Sequence, residues 1–97
     1  MPTSLTPRQR ADLKARAHAL EPVVTVGQAG ASDSVVAEVY RSLTAHGLIK
    51  VKLTGADRES RDGLAQTLSE ATDAAIVQQV GRVLVLWRPR PDDEPLD

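Results

Sequence analysis

The punctuation of this chain constrains it more than any single motif does. Four short runs rich in β-branched residues lie at Pro22–Val26, Leu48–Leu53, Ala75–Val80 and Val83–Trp87. One stretch of helical periodicity precedes the first run. Two more separate the first three, and a two-residue link joins the last pair. Nearly every boundary carries a capping residue, a glycine or a proline, so few other divisions of the chain are open.

The boundaries can be read one by one. Thr6 is placed to cap a helix, Pro7 suits the first helical position, and Gln9 stands where a capping box needs Glu or Gln. Leu13, Ala17 and Leu20 form an apolar stripe at i, i+4, i+7, with Arg10, Lys14 and His18 beside it. Pro22 disfavours helical geometry at Glu21, which predicts a helix end near Leu20. After the first strand, Gly27-Gln28-Ala29-Gly30 breaks regular structure, and Ser32, Asp33 and Ser34 offer caps for a second helix. Its apolar face is Val35, Val36, Val39, Tyr40 and Leu43, and Gly47 closes it. In the second strand Ile49, Val51 and Leu53 alternate with Lys50 and Lys52, one face inward and one toward water. Thr54-Gly55-Ala56 turns the chain and Asp57 can cap a third helix, with Leu64, Leu68 and Ala71 as its stripe. Gly63 inside that helix costs about 1 kcal/mol relative to Ala. Gly81-Arg82 fits a two-residue hairpin with glycine first. Pro89, Pro91 and Pro95 end regular structure.

Strands alternating with helices imply parallel pairing through crossovers, and the final hairpin adds an antiparallel strand. The expected fold is a compact two-layer α/β domain of order α-βα-βα-ββ with a mixed four-stranded sheet, its strand order left open. With 97 residues this is one domain. Residues 1–90 form it, and residues 91–97 are expected to be an acidic, proline-containing tail without regular structure. The chain has no cysteine, which excludes a disulfide framework, a thiolate nucleophile and a Cys-based zinc site. No apolar run approaches the ~20 residues that span a bilayer, and the start of the chain lacks the pattern of a secretory signal. A cytoplasmic protein without membrane partners is the expectation.

The charge is unevenly distributed. The total is −1, but Asp92, Asp93, Glu94 and Asp97 lie in the last seven residues. Without them, 12 basic and 9 acidic side chains remain, a net of +3. The body of the chain is therefore mildly basic.

Catalysis has no residue support. His18 and His46 are the only histidines, and neither has a spacing that suggests a metal ligand or a nucleophile–base pair. Ser32 and Ser34 read as caps. Asp57, Glu59 and Asp62 occupy early helical positions, where carboxylates offset the dipole. No enzyme, no cofactor, no metal and no small-molecule substrate is expected.

Binding has more support. The Gly27–Gly30 loop joins a strand to a helix start, where backbone amides and the helix dipole favour an anion. A plain strand-to-helix turn would look the same, and the loop is neither a Walker loop nor a dinucleotide fingerprint. Around it the sequence offers Lys50 and Lys52 on one strand face, and Arg10 and Lys14 on one helix face with Arg8 and Arg16 nearby. Arg82 stands at a hairpin tip, and Trp87-Arg88 lies beside Arg90. Several basic clusters about a glycine loop suit a polyanion. With aromatics at 2%, extensive base stacking is not expected.

Four segments taken together resemble a known family: Leu5-Thr6 through Pro22-Val23, Val26 to Gly30, Leu48 to Lys52, and Val80 to Pro89. They are similar to the bacterial stand-alone CRM domain, the chloroplast RNA-splicing and ribosome maturation module of YhbY-like proteins, over about residues 5–90. The resemblance implies a fold like the C-terminal domain of a translation initiation factor. It also implies RNA binding, with ribosomal RNA or a precursor of the large ribosomal subunit as partner. The GxxG loop resembles the one with which KH domains clamp RNA backbone. Together with the residue reading above, the expected RNA-binding residues are Gly27, Gln28, Ala29, Gly30, Arg10, Lys14, Lys50, Lys52, Arg82, Trp87 and Arg88; the sequence does not fix the oligomeric state, and a monomer is the working expectation. The family loop often carries a basic residue, whereas Gln28 and Ala29 are uncharged, which shifts the electrostatic load onto the lysines and arginines outside the loop. The alternative is a protein-interaction adaptor whose basic face meets an acidic partner.

Overall fold

The computed structural model describes residues 5–55 and 57–89. The expected acidic tail and Arg90 lie outside the described residues. In chain order the elements are α1 (Pro7–Ala17), β1 (Pro22–Val26), α2 (Asp33–His46), β2 (Leu48–Leu53), α3 (Arg58–Thr72), β3 (Ala75–Val80) and β4 (Val83–Trp87).

The helix starts form as local chemistry dictates. Thr6 accepts from the Gln9 amide at 3.1 Å while the Gln9 side chain accepts from the Thr6 amide at 2.9 Å, a complete capping box. Among the three candidate caps of α2, Ser32 holds the position and accepts from Val35 N. Asp57 caps α3. Gly47, at φ 78°, returns its N–H to Leu43 O and ends α2. Asp73 closes α3 in the left-handed region at φ 57°, which an aspartate adopts more readily than most residues. Helix α1 is regular only to Ala17. Residues 18–20 continue in looser i→i−3 turns, so the stop expected near Leu20 falls about a turn earlier.

The sheet order is β1-β2-β4-β3. Strands β1 and β2 are parallel, and β4 runs antiparallel to both β2 and β3. The chain thus leaves β2, passes through α3, and lays down β3 one place beyond the slot that β4 later fills.

The register divides side chains between two faces. Val24, Val26, Ile49, Val51, Leu53, Leu84 and Leu86 pack against Val39 and Leu43 of α2 and Ala65 and Leu68 of α3. On the other face Leu48, Val77 and Val85 pack against Leu13 and Ala17 of α1, with Leu5, Leu20 and Trp87 at the margin. The mixed four-stranded α/β sheet is as expected. The helices, however, are shared between both faces, giving three layers rather than two. Leu48 is the residue that decides this: it is the one apolar member of the lysine-bearing face of β2, and α1 covers it.

Two expected core positions lie outside. Tyr40 is 52% exposed, and Ala71 is exposed, while Ser69 and Thr72 are buried in α3 instead. Burial is affordable for these two hydroxyls because each donates to a carbonyl, Thr72 to Leu68 O at 2.6 Å and Ser69 to Ala74 O. Val77, next after Ile76, lies on the α1 side of β3, and a register shift there gives Gln78 rather than Val77 the place opposite Val85.

Candidate nucleic-acid interface

One end of the sheet collects three loops. The Gly27–Gly30 loop leaves β1, the Thr54–Gly55 segment leaves β2, and Gly81-Arg82 joins β3 to β4. They are stitched together by backbone: Thr54 N and Oγ1 donate to Val26 O at 2.9 and 3.1 Å, and Leu53 N donates to Arg82 O at 2.7 Å. The N-termini of α2 and α3 open at the same end, because each helix follows one of these strands.

The glycines here have separate reasons. Gly30 sits at φ +68°, and a Cβ there would stand 3.3 Å from Leu64 of α3. Gly55 packs flat on the loop: a Cβ on it would lie 2.3 Å from Gln28 N and from Gly27 C, both backbone atoms that cannot swing aside. Gly27 has neither constraint; its φ lies outside the left-handed region and a Cβ would meet nothing within 4 Å. Glycine at 27 is therefore not demanded by the fold. It leaves open the close approach of something from outside.

The turn closes through Gly30 N to Gly27 O at 3.1 Å and Ser32 N to Gly30 O at 2.9 Å. Among the described residues nothing accepts from the amides of Gln28 or Ala29, and Ala29 is exposed. At the start of α3, the Ser60 amide, followed by its hydroxyl, holds the Asp57 carboxyl below the ordinary carboxylate range, with Arg61 adding to the effect.

The expected cations sort into two groups. Lys52 is exposed, opposite Thr25 of β1 and Val83 of β4, and Arg82 stands at the hairpin tip. Lys50 is half-buried one pair further along the same face of β2, and Lys14 is exposed on α1. None of these four has a hydrogen bond or ion pair with a described residue through its side chain. Arg10 is different. Its Nη1 donates to Ile76 O and Val77 O at 2.5 and 2.7 Å, pinning α1 to the irregular stretch of β3. Arg88 lies at the opposite end of the sheet, donating to Thr72 O at 2.8 Å and Thr44 Oγ1 at 2.7 Å, with its guanidinium 4.3 Å from the Tyr40 ring centre. Trp87 is half-buried beside α1 in the smaller apolar cluster. The structure thus gathers the loop, Lys52 and Arg82, with Lys50 behind them and Lys14 exposed on α1 of the same sheet face. Arg10, Trp87 and Arg88 are not brought into that group.

Sequence reasoning missed Arg58 and Arg61, which line a cleft of about 550 Å³ with Asp62, Gln79 and Gly81 on the α3 side of the hairpin. Their interleaving with Asp57, Glu59 and Asp62 masks them in any reading by net charge.

The CRS1/YhbY (CRM) domain model matches residues 5–88. The chain belongs to the CRM domain family. An RNA-binding protein of Haemophilus influenzae is 45% identical to this CRM domain over 87 residues, covering 90% of this chain and 88% of that protein. A protein of Methanocaldococcus jannaschii, named a probable RNA-binding protein, is 47% identical over 88 residues; the match covers 89% of this chain and 65% of the longer archaeal one. The solution structure of a Staphylococcus aureus protein, reported as a candidate RNA binder, superposes with a TM-score of 0.82 at 29% identity, covering 97% of this chain and 98% of that one. In the CRM domain described here the loop tip is uncharged, so its cations all come from the flanking elements.

Among the described residues, no group of three His, Cys, Asp or Glu is placed to hold a metal ion, and no helix is long and apolar enough to cross a membrane.

Proposed function

We propose that this chain is a non-catalytic RNA-binding protein that engages ribosomal RNA during assembly of the large ribosomal subunit in the cytoplasm. The observation that carries the RNA reading is the meeting of an exposed glycine loop with Lys52 and Arg82 at one end of the sheet, none of the cations neutralised by a described partner. The RNA-binding names of its relatives support the same class of ligand. The ribosomal target rests on the family resemblance alone. In this reading, loop amides and Gly27 meet the sugar–phosphate backbone, and the lysines and arginine add affinity by releasing counterions.

The loop is best tested at Gly27. Gly30→Asp would be strained by the positive φ and by Leu64, so any loss there would be ambiguous. Gly27→Asp puts a negative charge at the loop without either conflict. Fluorescence anisotropy with a labelled fragment of large-subunit RNA should show at least a tenfold loss of affinity with an unchanged melting temperature. Unchanged affinity removes the loop from the mechanism. Sequencing of RNA crosslinked in cells tests the ribosomal assignment, which fails if ribosomal RNA is not enriched. Capture of partners that persists after nuclease treatment would point to the protein adaptor instead.

A further inference from the structure

Helix α1 crosses only one half of its face of the sheet, over Leu48, Val77, Val85 and Trp87. No described residue covers the other half. Strand register lines up Thr25, Lys52, Val83 and Val80 as one transverse row across all four strands. At about 4.8 Å per strand the row is roughly 14 Å long. Thr25 and Lys52 are exposed, Val83 is half-buried, and Val80 is 62% exposed. The row ends beside the glycine loop, since Thr25 is two residues before Gly27.

Three large apolar side chains are exposed among the described residues: Val23, Tyr40 and Val80. Tyr40 carries Arg88 on its ring, and Val23 lines a cavity at the far end of the sheet. Val80 alone stands at the loop end, next to Val83, with a basic surround.

That surround has a direction. Arg16 of α1 and Ala19 just after the helix line the far cavity together with Glu21. Two residues from Arg16 is roughly 160° round a helix, so Lys14 and His18 flank the bare half instead. Asp12, four residues before Arg16, falls on the far flank with it. The bare half is therefore bounded by Lys14, Lys50, Lys52 and Arg82, while Asp12 and Glu21 look away. On the opposite side of the hairpin, Arg58 and Arg61 share their cleft with Asp62, which Gln79 holds at 3.1 Å, and with Glu59 and Asp57 close by. On that side the cations are interleaved with carboxylates, which weakens their pull on a polyanion.

We propose that the bare half of the sheet seats an unpaired nucleotide of single-stranded RNA, its base over Val80 and Val83 and its phosphates toward the loop, Lys52 and Lys14. The proposal rests on the RNA-binding reading and adds to it a requirement for an unstacked base. A duplex presents no free base face to a floor of this kind.

The test uses the full chain, a fluorescent single-stranded pyrimidine RNA octamer, and an octamer of the same length whose nucleotides are abasic. Val80→Ser should weaken the intact octamer about fivefold and leave the abasic one unchanged. Val80→Thr, nearly isosteric, should show the same pattern at about twofold. Melting temperatures should match the parent, because Val80 is exposed. Equal weakening of both octamers, or of neither, overturns the proposal. So does a parent protein that sediments as a dimer and is made monomeric by Val80→Ser, since the face would then belong to a second copy. Loss of binding in Gly27→Asp with Val80→Ser indifferent leaves the RNA reading standing and removes this inference alone. A parent that binds neither octamer but binds the large-subunit fragment overturns this inference alone, and one that binds none of the three overturns both.

Discussion

The two ends of the sheet treat arginine in opposite ways. Arg88 sits where α2 and α3 finish. Its guanidinium donates to Thr72 O and Thr44 Oγ1 and lies over the Tyr40 ring. A cation there meets the negative ends of two helices and orphan carbonyls that need donors. Arg82 sits where both helices begin, exposed at a glycine turn, with no side-chain partner among the described residues. The same residue type is structural at one end and available at the other. What separates them is the direction of the helices and the supply of unfilled acceptors, neither of which is visible in the residue itself.

That contrast can be broken in order of expected effect. Gly55→Ala forces a Cβ into the backbone of Gly27 and Gln28 and should destabilise the fold by about 3 kcal/mol, read by urea denaturation. It should also impair RNA binding in the population that still folds; a stable variant with normal affinity would show that the two loops are not coupled. Arg88→Ala should cost about 2 kcal/mol by the same measurement, through the Thr72 carbonyl left without its donor, while the salt dependence of RNA affinity stays as it was. Arg82→Ala should do the reverse: stability within about 0.5 kcal/mol of the parent and a log–log salt slope reduced by about 1. Lys50→Ala with Lys52→Ala should reduce that slope by about 2; if it does not move, this face of β2 is not part of the footprint.

The smallest effect concerns acid. The folded Asp57 carboxyl is held below its ordinary value of 3.8 by Ser60 and then Arg61. Its contribution to stability is therefore present above that value and lost as pH falls through the lower, folded one. Asp57→Asn should flatten the acid limb of stability below about pH 4 and leave neutral-pH unfolding little changed. An unaltered limb would mean the cap does not titrate with folding.

Much of the fold was legible because its signals are local. Thr6 with Gln9, Asp57, Gly47 and Gly81 each act within a few residues, and each does in the structure what its position predicts. The alternation in β2 was also legible, but only to the level of two faces. That α1 covers Leu48, and so splits the helices between layers, depends on contacts across the whole chain. Arg10 and Arg88 illustrate the limit most clearly. Their partners are 66, 67, 16 and 44 residues away, and nothing in a charged residue's neighbourhood announces a distant carbonyl. Gly27 and Gly30 were legible as a loop, yet only the backbone angles show that one is needed by the fold and the other is not.

The placing of β4 has a consequence for timing. It is last in sequence among the described strands, yet it lies inside the sheet, hydrogen-bonded on both sides. Until Val83–Trp87 leaves the ribosome, β2 and β3 have no neighbour in common and Lys52 has no Val83 beside it. A nascent chain therefore cannot assemble the cationic end piecemeal, and completes it only once β4 has been made.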